Sequence, residues 1–539
     1  MARHADIRWS PPVELSPVEQ KVMRRLTRTG RLFAFLRRHR HALFDEEFQG
    51  SLAGMYADTE GGRPPVAPAL LVMVTLLQAY TQVSDAEAVH HSLFDKRWQM
   101  VLDCLDCEDA PFSQGLLAQF RFRLIAHDMD RELIRRTVDL AKRTGDFGFK
   151  KLRLALDSAP IWGVGRVEDT LNLIGHGLAV CAACAADLWD TTAEHVIEEA
   201  DLRIVGGSSV KAALDIDWDD QSARQDALER VLADVSRFRN WLAKQERPAQ
   251  DTEAAKRAAV ALDTAMDQLV RLIGQDVEPD PEGENTHRII EGTAADRQVS
   301  IQDPEMRHGR KSSATTINGY KGHIAAELDH HLVLDALAEP ANRKEYAAAD
   351  IMRPNIEHYG EVGEFHIDRG FLSASWVQDL DARSVPVFTK PWNHANRGLF
   401  PKSAFRIELA AGTVTCPGDE VVDVRSIRPA SDGRRYLKFT QCGACKLRAQ
   451  CTQSKRGRSL VLHEHEEFLQ RLLAAKRTPE GRARLRERTA IEHGLAHVLV
   501  YAPHKARFVG TRKNTFALRR AGAIVNLQTI DRMPTREAA

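Results

Sequence analysis

What the chain lacks narrows it first. It has no net charge: 75 Lys and Arg balance 75 Asp and Glu over 539 residues. A uniformly basic or acidic surface is excluded, so binding to a polyanion has to come from local segregation of charge. Residues 1–19 contain no apolar segment of the signal-peptide kind, and no apolar run reads as long enough for a bilayer. The expectation is an intracellular, cytoplasmic protein with no membrane partner. Cysteine is scarce, and its eight copies cluster instead of spreading as in a secreted disulfide scaffold. A hydrophobic share of 43% and a charged share of 28% are ordinary for a folded protein, and the length allows several domains.

Segregated charge is present. Residues 21–41 hold eight Lys or Arg and no acid, and residues 505–520 hold six and no acid. Either block taken alone reads first as a solvated helix face; two such blocks flanking an acid-bearing core favour nucleic acid. Residues 1–145 read as all-helical. An apolar helix over 70–80 follows the proline-rich stretch 64–68, and Ser84-Asp85-Ala86-Glu87 is a capping box that starts the next helix. Phe112-Ser113-Gln114 leads into a helix over 116–127 that carries Arg121 and Arg123. Short basic helices with tight breaks fit a helix-turn-helix DNA-binding module; a plain helical bundle has the same pattern.

Sheet character begins at residue 152. Leu152, Leu154 and Leu156 alternate with Arg153 and Ala155, and the strand delivers Asp157 to its far end. Rigid backbone at that point can fix a metal ligand, or the carboxylate can be a simple cap. A helical hairpin and linker are expected over 211–300, from the spacing of Leu228, Val231, Leu232 and Val235 and of Leu262, Ala265, Leu269 and Ile273. Strands over 316–328 and 332–336 follow, joined by Asp329-His330-His331. Then come a helix over 343–358, a strand closing at Asp368, a helix over 374–383 and a strand over 385–389. This is the order of a ribonuclease H-like α/β fold, in which the first and fourth strands are neighbours and Asp157 would meet Asp368. A helix over 482–500 carries Arg488 and Glu492 on one face. Three converging carboxylates suit hard divalent cations. Glu487 competes with Glu492 as the third acid, and Asp329 and Asp335 compete with Asp368.

Cys442-Gly443-Ala444-Cys445, with Cys451 and the earlier Cys416, offers four thiolates for zinc, or four reduced buried thiols. The pairs Cys104/Cys107 and Cys181/Cys184 have no second pair in sequence and read as structural.

Taken in order, several short stretches resemble one family. They are Phe112-Ser113-Gln114 with Phe120-Arg121-Phe122-Arg123; Leu156-Asp157-Ser158; the run from Asp303-Pro304-Glu305-Met306 to Lys311-Ser312; Asn318-Gly319-Tyr320-Lys321-Gly322-His323; Asp368-Arg369-Gly370-Phe371; Cys442-Gly443-Ala444-Cys445; and Arg488 with Glu492. The chain resembles an insertion-sequence transposase of the DDE class with an InsH-type N-terminal domain. The resemblance implies that Asp157, Asp368 and Glu492 bind Mg2+ or Mn2+. It implies that element ends are cut and joined to target DNA by a homodimer on double-stranded DNA, with Arg488, Arg121, Arg123, Arg512 and Lys513 on the nucleic acid. Leu485 and Leu499 stand where the fullest form of the family pattern has tyrosine and lysine. The expected organisation is a helical DNA-binding domain over 1–145 and a catalytic core over 146–210, 301–395 and 466–539. The helical insertion over 211–300 and a cysteine-rich candidate zinc module over 396–465 interrupt that core.

Overall fold

The computed structural model describes residues 7–533 apart from 57–64, 106, 145–146, 149, 206–208, 282, 284–285, 311–314, 392–395, 397 and 432. Pro64, Lys311 and Ser312 of the motifs above lie outside the described residues. The architecture is mixed α/β. Its central sheet contains β1 (Leu152–Trp162), β2 (Arg307–Arg310), β3 (Thr316–Glu327), β4 (Leu332–Pro340), β5 (Val362–Ile367) and β6 (Val387–Phe388). The order is β4-β3-β1-β5-β6, with β2 paired to the first residues of β3. β3 runs antiparallel to β1, and β5 runs parallel to it. The register pairs Leu156 with Ile367, so Asp157 and Asp368 are the next residues on two adjoining strands.

Alternation along β1 is real, but both faces are covered. Leu152, Leu154 and Leu156 enter a core shared with the N-terminal helices. Ala155, Ala159 and Ile161 enter a second core with Ile491, Leu495, Val498 and Leu499. Asp157 lies on this second face by the period of two. The N-terminal helices therefore do not stand apart from the sheet. Pro68–Thr81 is buried over twelve of its residues; it and Met129–Thr144 pack on the C-terminal helix Thr511–Ile530. That helix is tied to the sheet: Asn526 Oδ1 accepts the Val333 N–H and Thr515 Oγ1 accepts the Ala338 N–H.

The helical insertion begins earlier than the periodicity at 228 suggests. Thr170–Trp189 packs with Gln221–Lys244 and Glu253–Asp276 around one core. The stretch is rich in alanine and small residues, and Gly177 lets Leu269 and Leu272 approach closely. This is also the one described helix long and apolar enough to cross a membrane, and 67% of its apolar window is buried inside the protein. The module after β6 has strands of three or four residues: Arg406–Glu408, Thr413–Thr415 and Val421–Asp423 in one sheet, Arg435–Lys438 and Ser459–Leu462 in a hairpin.

The two acid-free basic blocks are partly internal. Arg37 is buried against Glu19, and Arg40 donates to the Met100, Val101 and Pro12 carbonyls. Arg519 bridges Asp130 and Asp335, and Arg520 is buried, which pulls its guanidinium down to about 9. A buried cation needs partners, and those of Arg37, Arg40 and Arg519 are carboxylates and carbonyls from outside the basic blocks.

Candidate active site

Asp157, Asp368 and Glu492 line one cavity of about 480 Å3, together with Arg488. Asp157 comes from the strand centre, Asp368 from the end of the neighbouring strand and Glu492 from Thr489–Tyr501, the helix that covers this face through Ile491, Leu495 and Val498. Arg488 Nη1 lies 3.3 Å from Asp157 Oδ1, and Arg488 Nη2 lies 2.6 Å from Glu492 Oε1. Burial raises the Asp157 carboxyl above its ordinary range. Arg488 and the Ser158 N–H pull it down, and Glu492 and Asp368 push it up again. Asp157 thus feels both other acids across the cavity, and a guanidinium sits between it and Glu492.

The single helix expected over 482–500 is two. Pro479–Glu487 ends, and Thr489–Tyr501 begins, at Arg488. No glycine or proline marks the break. Arg488 itself keeps helical dihedrals, and ion pairs tie the first helix to the sheet: Arg153 on β1 binds Glu487, Glu364 (3.0 Å) and Asp329, and Arg484 binds Glu364 (2.6 Å) and Glu487 (3.1 Å). Arg153 precedes Asp157 by four strand residues, about 13 Å. Glu487 is therefore held down the strand, while the next residue, Arg488, reaches the Asp157 cavity. Glu487, Glu364 and His366 are also the only group among the described residues whose ligating atoms lie within 4.8 Å of one another, but arginines already occupy both carboxylates. The other rivals are committed as well. Asp335 is buried on Arg519 and accepts from Asn355 Nδ2, and Asp329 closes the turn on Arg153.

Sequence reasoning missed a fourth acid. Glu345, at the start of helix Glu345–Glu357, lines the same cavity, and Ser158 Oγ donates to its Oε1 at 2.8 Å. Gly370 makes room for it, since a Cβ there would fall 1.7 Å from Glu345 Oε2. The neighbours Asn342-Arg343-Lys344 carry no signal. Lys321 and His504 also line the cavity. The His504 carbonyl accepts the Trp162 N–H at 2.6 Å, which pins this segment to the end of β1.

The basic residues expected on DNA are placed unevenly. Arg121 is in a paired-oxygen ion pair with Asp85, at the start of helix Asp85–Phe94. Arg512 binds Asp128 (3.0 Å) and Asp130. Arg123 lies over the Tyr56 ring and Lys513 over the exposed Phe122 ring. A different cationic set adjoins the acids: Lys390, Lys476, Arg482 and Arg486 line a cavity of about 300 Å3 that shares Arg488 and Glu492 with the first. Leu485 lines it too.

The Asp303-Pro304-Glu305-Met306 stretch is a clamp. Buried Asp303 accepts from the Tyr320 hydroxyl and the Gly510 N–H, Glu305 accepts from the Thr511 N–H, and Met306 fills the space left by Gly163. It seats the C-terminal helix on the sheet and lies outside the cavity.

A family model described as Transposase DDE domain matches residues 415–530, and one described as Transposase domain (DUF772) matches residues 20–123. Together they support an insertion-sequence DDE transposase. No curated protein and no solved structure matches the chain. Transposase domains indicate a transposase function, an enzyme acting on DNA. Within the chain, the DDE match takes in Glu492 and the four clustered cysteines Cys416, Cys442, Cys445 and Cys451, the second match takes in Arg121 and Arg123, and Asp157 and Asp368 lie outside both.

Do the residues fit a divalent cation of the kind DDE transposases generally use? The donor set is hard oxygen, Asp157 is raised by burial and by two neighbouring carboxylates, and Arg488 bridges Asp157 and Glu492. A cation placed among these oxygens would relieve the repulsion, so the chemistry fits.

Proposed function

We propose that this chain is a DNA transposase that cleaves the ends of an insertion element and joins them to target DNA, with Asp157, Asp368 and Glu492 as its catalytic triad on a ribonuclease H-like core. The observation that carries the reading is that three acids, 211 and 124 residues apart in sequence, line one cavity, on the sheet order that such a core requires. Mg2+ or Mn2+ held by these carboxylates would activate a water or a 3′-hydroxyl and stabilise the departing oxygen of a phosphodiester. The protein's own groups do the rest. Asp157 and Asp368 are held by adjoining strands. Arg488 orients Asp157 and Glu492 from the cavity lining, where its guanidinium is also within reach of a DNA phosphate. Lys390, Lys476, Arg482 and Arg486 hold the backbone that leads into the cavity. The partner is double-stranded DNA, element end and target, and two ends are handled together by a homodimer.

The test is a strand-transfer assay with a duplex carrying the element end, a target plasmid and Mg2+ or Mn2+. Joined product that disappears in Asp157→Ala and Asp368→Ala supports the reading. Nicking without joining would make the protein a metal-dependent nuclease. Binding without any cleavage under either metal would make it an inactive DNA-binding relative.

A further inference from the structure

Four thiols border one cavity in the module that interrupts the core. Cys416, Cys442, Cys445 and Cys451 line one cavity of about 710 Å3. Each side of it is a tight turn built around sulphur. In the first, Thr413–Thr415 ends at Cys416. The Asp419 N–H donates to the Cys416 carbonyl at 3.0 Å, Asp419 takes a positive φ of 65°, and the Gly418 N–H donates to Cys416 Sγ at 3.3 Å. In the second, the Arg458 N–H donates to Cys442 Sγ at 3.4 Å, and Gly457, at φ 88°, lies against that sulphur. Backbone N–H groups aimed at sulphur stabilise a thiolate more than a thiol.

The two turns are held face to face. Glu420, beside the first, accepts the N–H groups of Thr440 (2.7 Å) and Gln441 (3.0 Å) in the second. A Cβ on Gly418 would come 2.9 Å from Cys445 Sγ and 3.8 Å from Cys416 Sγ, so only glycine lets these sulphurs approach across the gap. Cys451 is buried and lines the same cavity as the other three, beside Arg458. The surrounding core is small: eight buried residues, Phe405, Val414, Val424, Leu437, Phe439, Cys451, Leu460 and Leu462. Strands of three or four residues on such a core need a staple.

We infer that Cys416, Cys442, Cys445 and Cys451 hold one structural Zn2+ in a closed four-thiolate site that fixes the cysteine module on the transposase. Zinc binds four sulphurs tetrahedrally at about 2.3 Å. No three of these sulphurs lie within 4.8 Å of one another, so ligation draws the two turns together. Up to four thiol protons leave as the metal enters, with no change of oxidation state, and Arg458 faces the resulting negative charge. The site is distinct from the carboxylate cavity in ligand chemistry and in place. The other pairs do not match it: Cys181 and Cys184 lie on one helix in the insertion core, and Cys104 donates to the Ser92 carbonyl.

Elemental analysis of the purified full-length protein tests this, followed by colorimetric zinc release on titration with a mercurial. One zinc per chain is expected, lost in Cys442→Ser and retained in Cys104→Ser. Where Cys442→Ser fails to fold, replacing zinc with Co2+ in the intact chain provides a second measurement: sulphur-to-cobalt charge-transfer bands and tetrahedral d–d bands are expected. Chelation should expose residues 396–465 to protease while the rest resists. A chain with no bound zinc and four freely titrating thiols overturns the inference, as does a disulfide among these cysteines or a cobalt spectrum without thiolate bands.

Discussion

Ionising Asp157 costs the folded chain free energy, because the carboxylate is buried beside Glu492 and Asp368, and Arg488 offsets only part of that. An acid whose folded pKa is raised adds stability below its unfolded pKa and loses it as pH rises through the folded value. Asp157→Asn, neutral at every pH, should therefore melt higher than the parent at neutral pH, by about 1–3 °C. The gain should shrink as pH falls toward about 4. Mg2+ should raise the parent's melting temperature and leave the variant's unchanged, and a variant that melts lower at neutral pH would contradict the geometry. The same substitution should abolish cleavage, which separates function from stability. Glu492 and Glu487 make the sharper comparison. Glu492→Gln should lower end cleavage by at least about a thousandfold, equivalent to about 4 kcal/mol. Glu487→Gln should leave cleavage within about tenfold of the parent, because Glu487 faces Arg153 and Arg484. Reversed results in a gel-based nicking assay would reassign the third acid.

At the scale of elements, Arg153 ties the end of helix Pro479–Glu487 to β1, one residue before Arg488 and the helix that carries the third acid. Removing the Arg153 guanidinium leaves Glu364, Glu487 and Asp329 facing one another. Arg153→Leu should cost about 1–3 kcal/mol in denaturant unfolding and should lower cleavage too, although residue 153 never touches the cavity. Lost stability with full activity would show that the helix pair holds its angle without Arg153. The break at Arg488 marks where the sequence stops being legible. The strands, the Asp329-His330-His331 turn and the Ser84 capping box follow from local periodicity and caps, and the structure has them; the neighbouring positions of Asp157 and Asp368 follow only from the element order of a ribonuclease H-like fold, and the parallel pairing of their strands agrees with it. The helix over 482–500 has uninterrupted helical composition, and neither glycine nor proline announces its division at Arg488. Glu345 is hidden for the same reason: nothing near it signals function, and only the Ser158 hydroxyl and the space over Gly370 bring it to the cavity. Thr170–Trp189 is masked by its small residues, which pack closely without a strong apolar stripe.

Across the whole molecule, a net charge of zero leaves little long-range attraction for DNA, so binding depends on which cations remain uncompensated. The basic blocks at 21–41 and 505–520 spend several arginines on internal partners: Arg37, Arg40, Arg512 and Arg519 all bind within the fold. Lys390, Lys476, Arg482 and Arg486 have no carboxylate within 4 Å among the described residues, and they border the acids. The salt dependence of DNA binding can tell these groups apart, since each phosphate that is no longer neutralised lowers the log–log slope by about 0.9. Replacing Lys476, Arg482 and Arg486 together with Ala should lower the slope by about 2–3 and weaken binding uniformly across sequences. Arg512→Ala should instead lower the melting temperature, by freeing Asp128 and Asp130, with little change in slope. If the triple variant keeps its slope while Arg123→Ala with Lys513→Ala reduces it, the duplex lies along the N-terminal helices and must reach the carboxylates from that side.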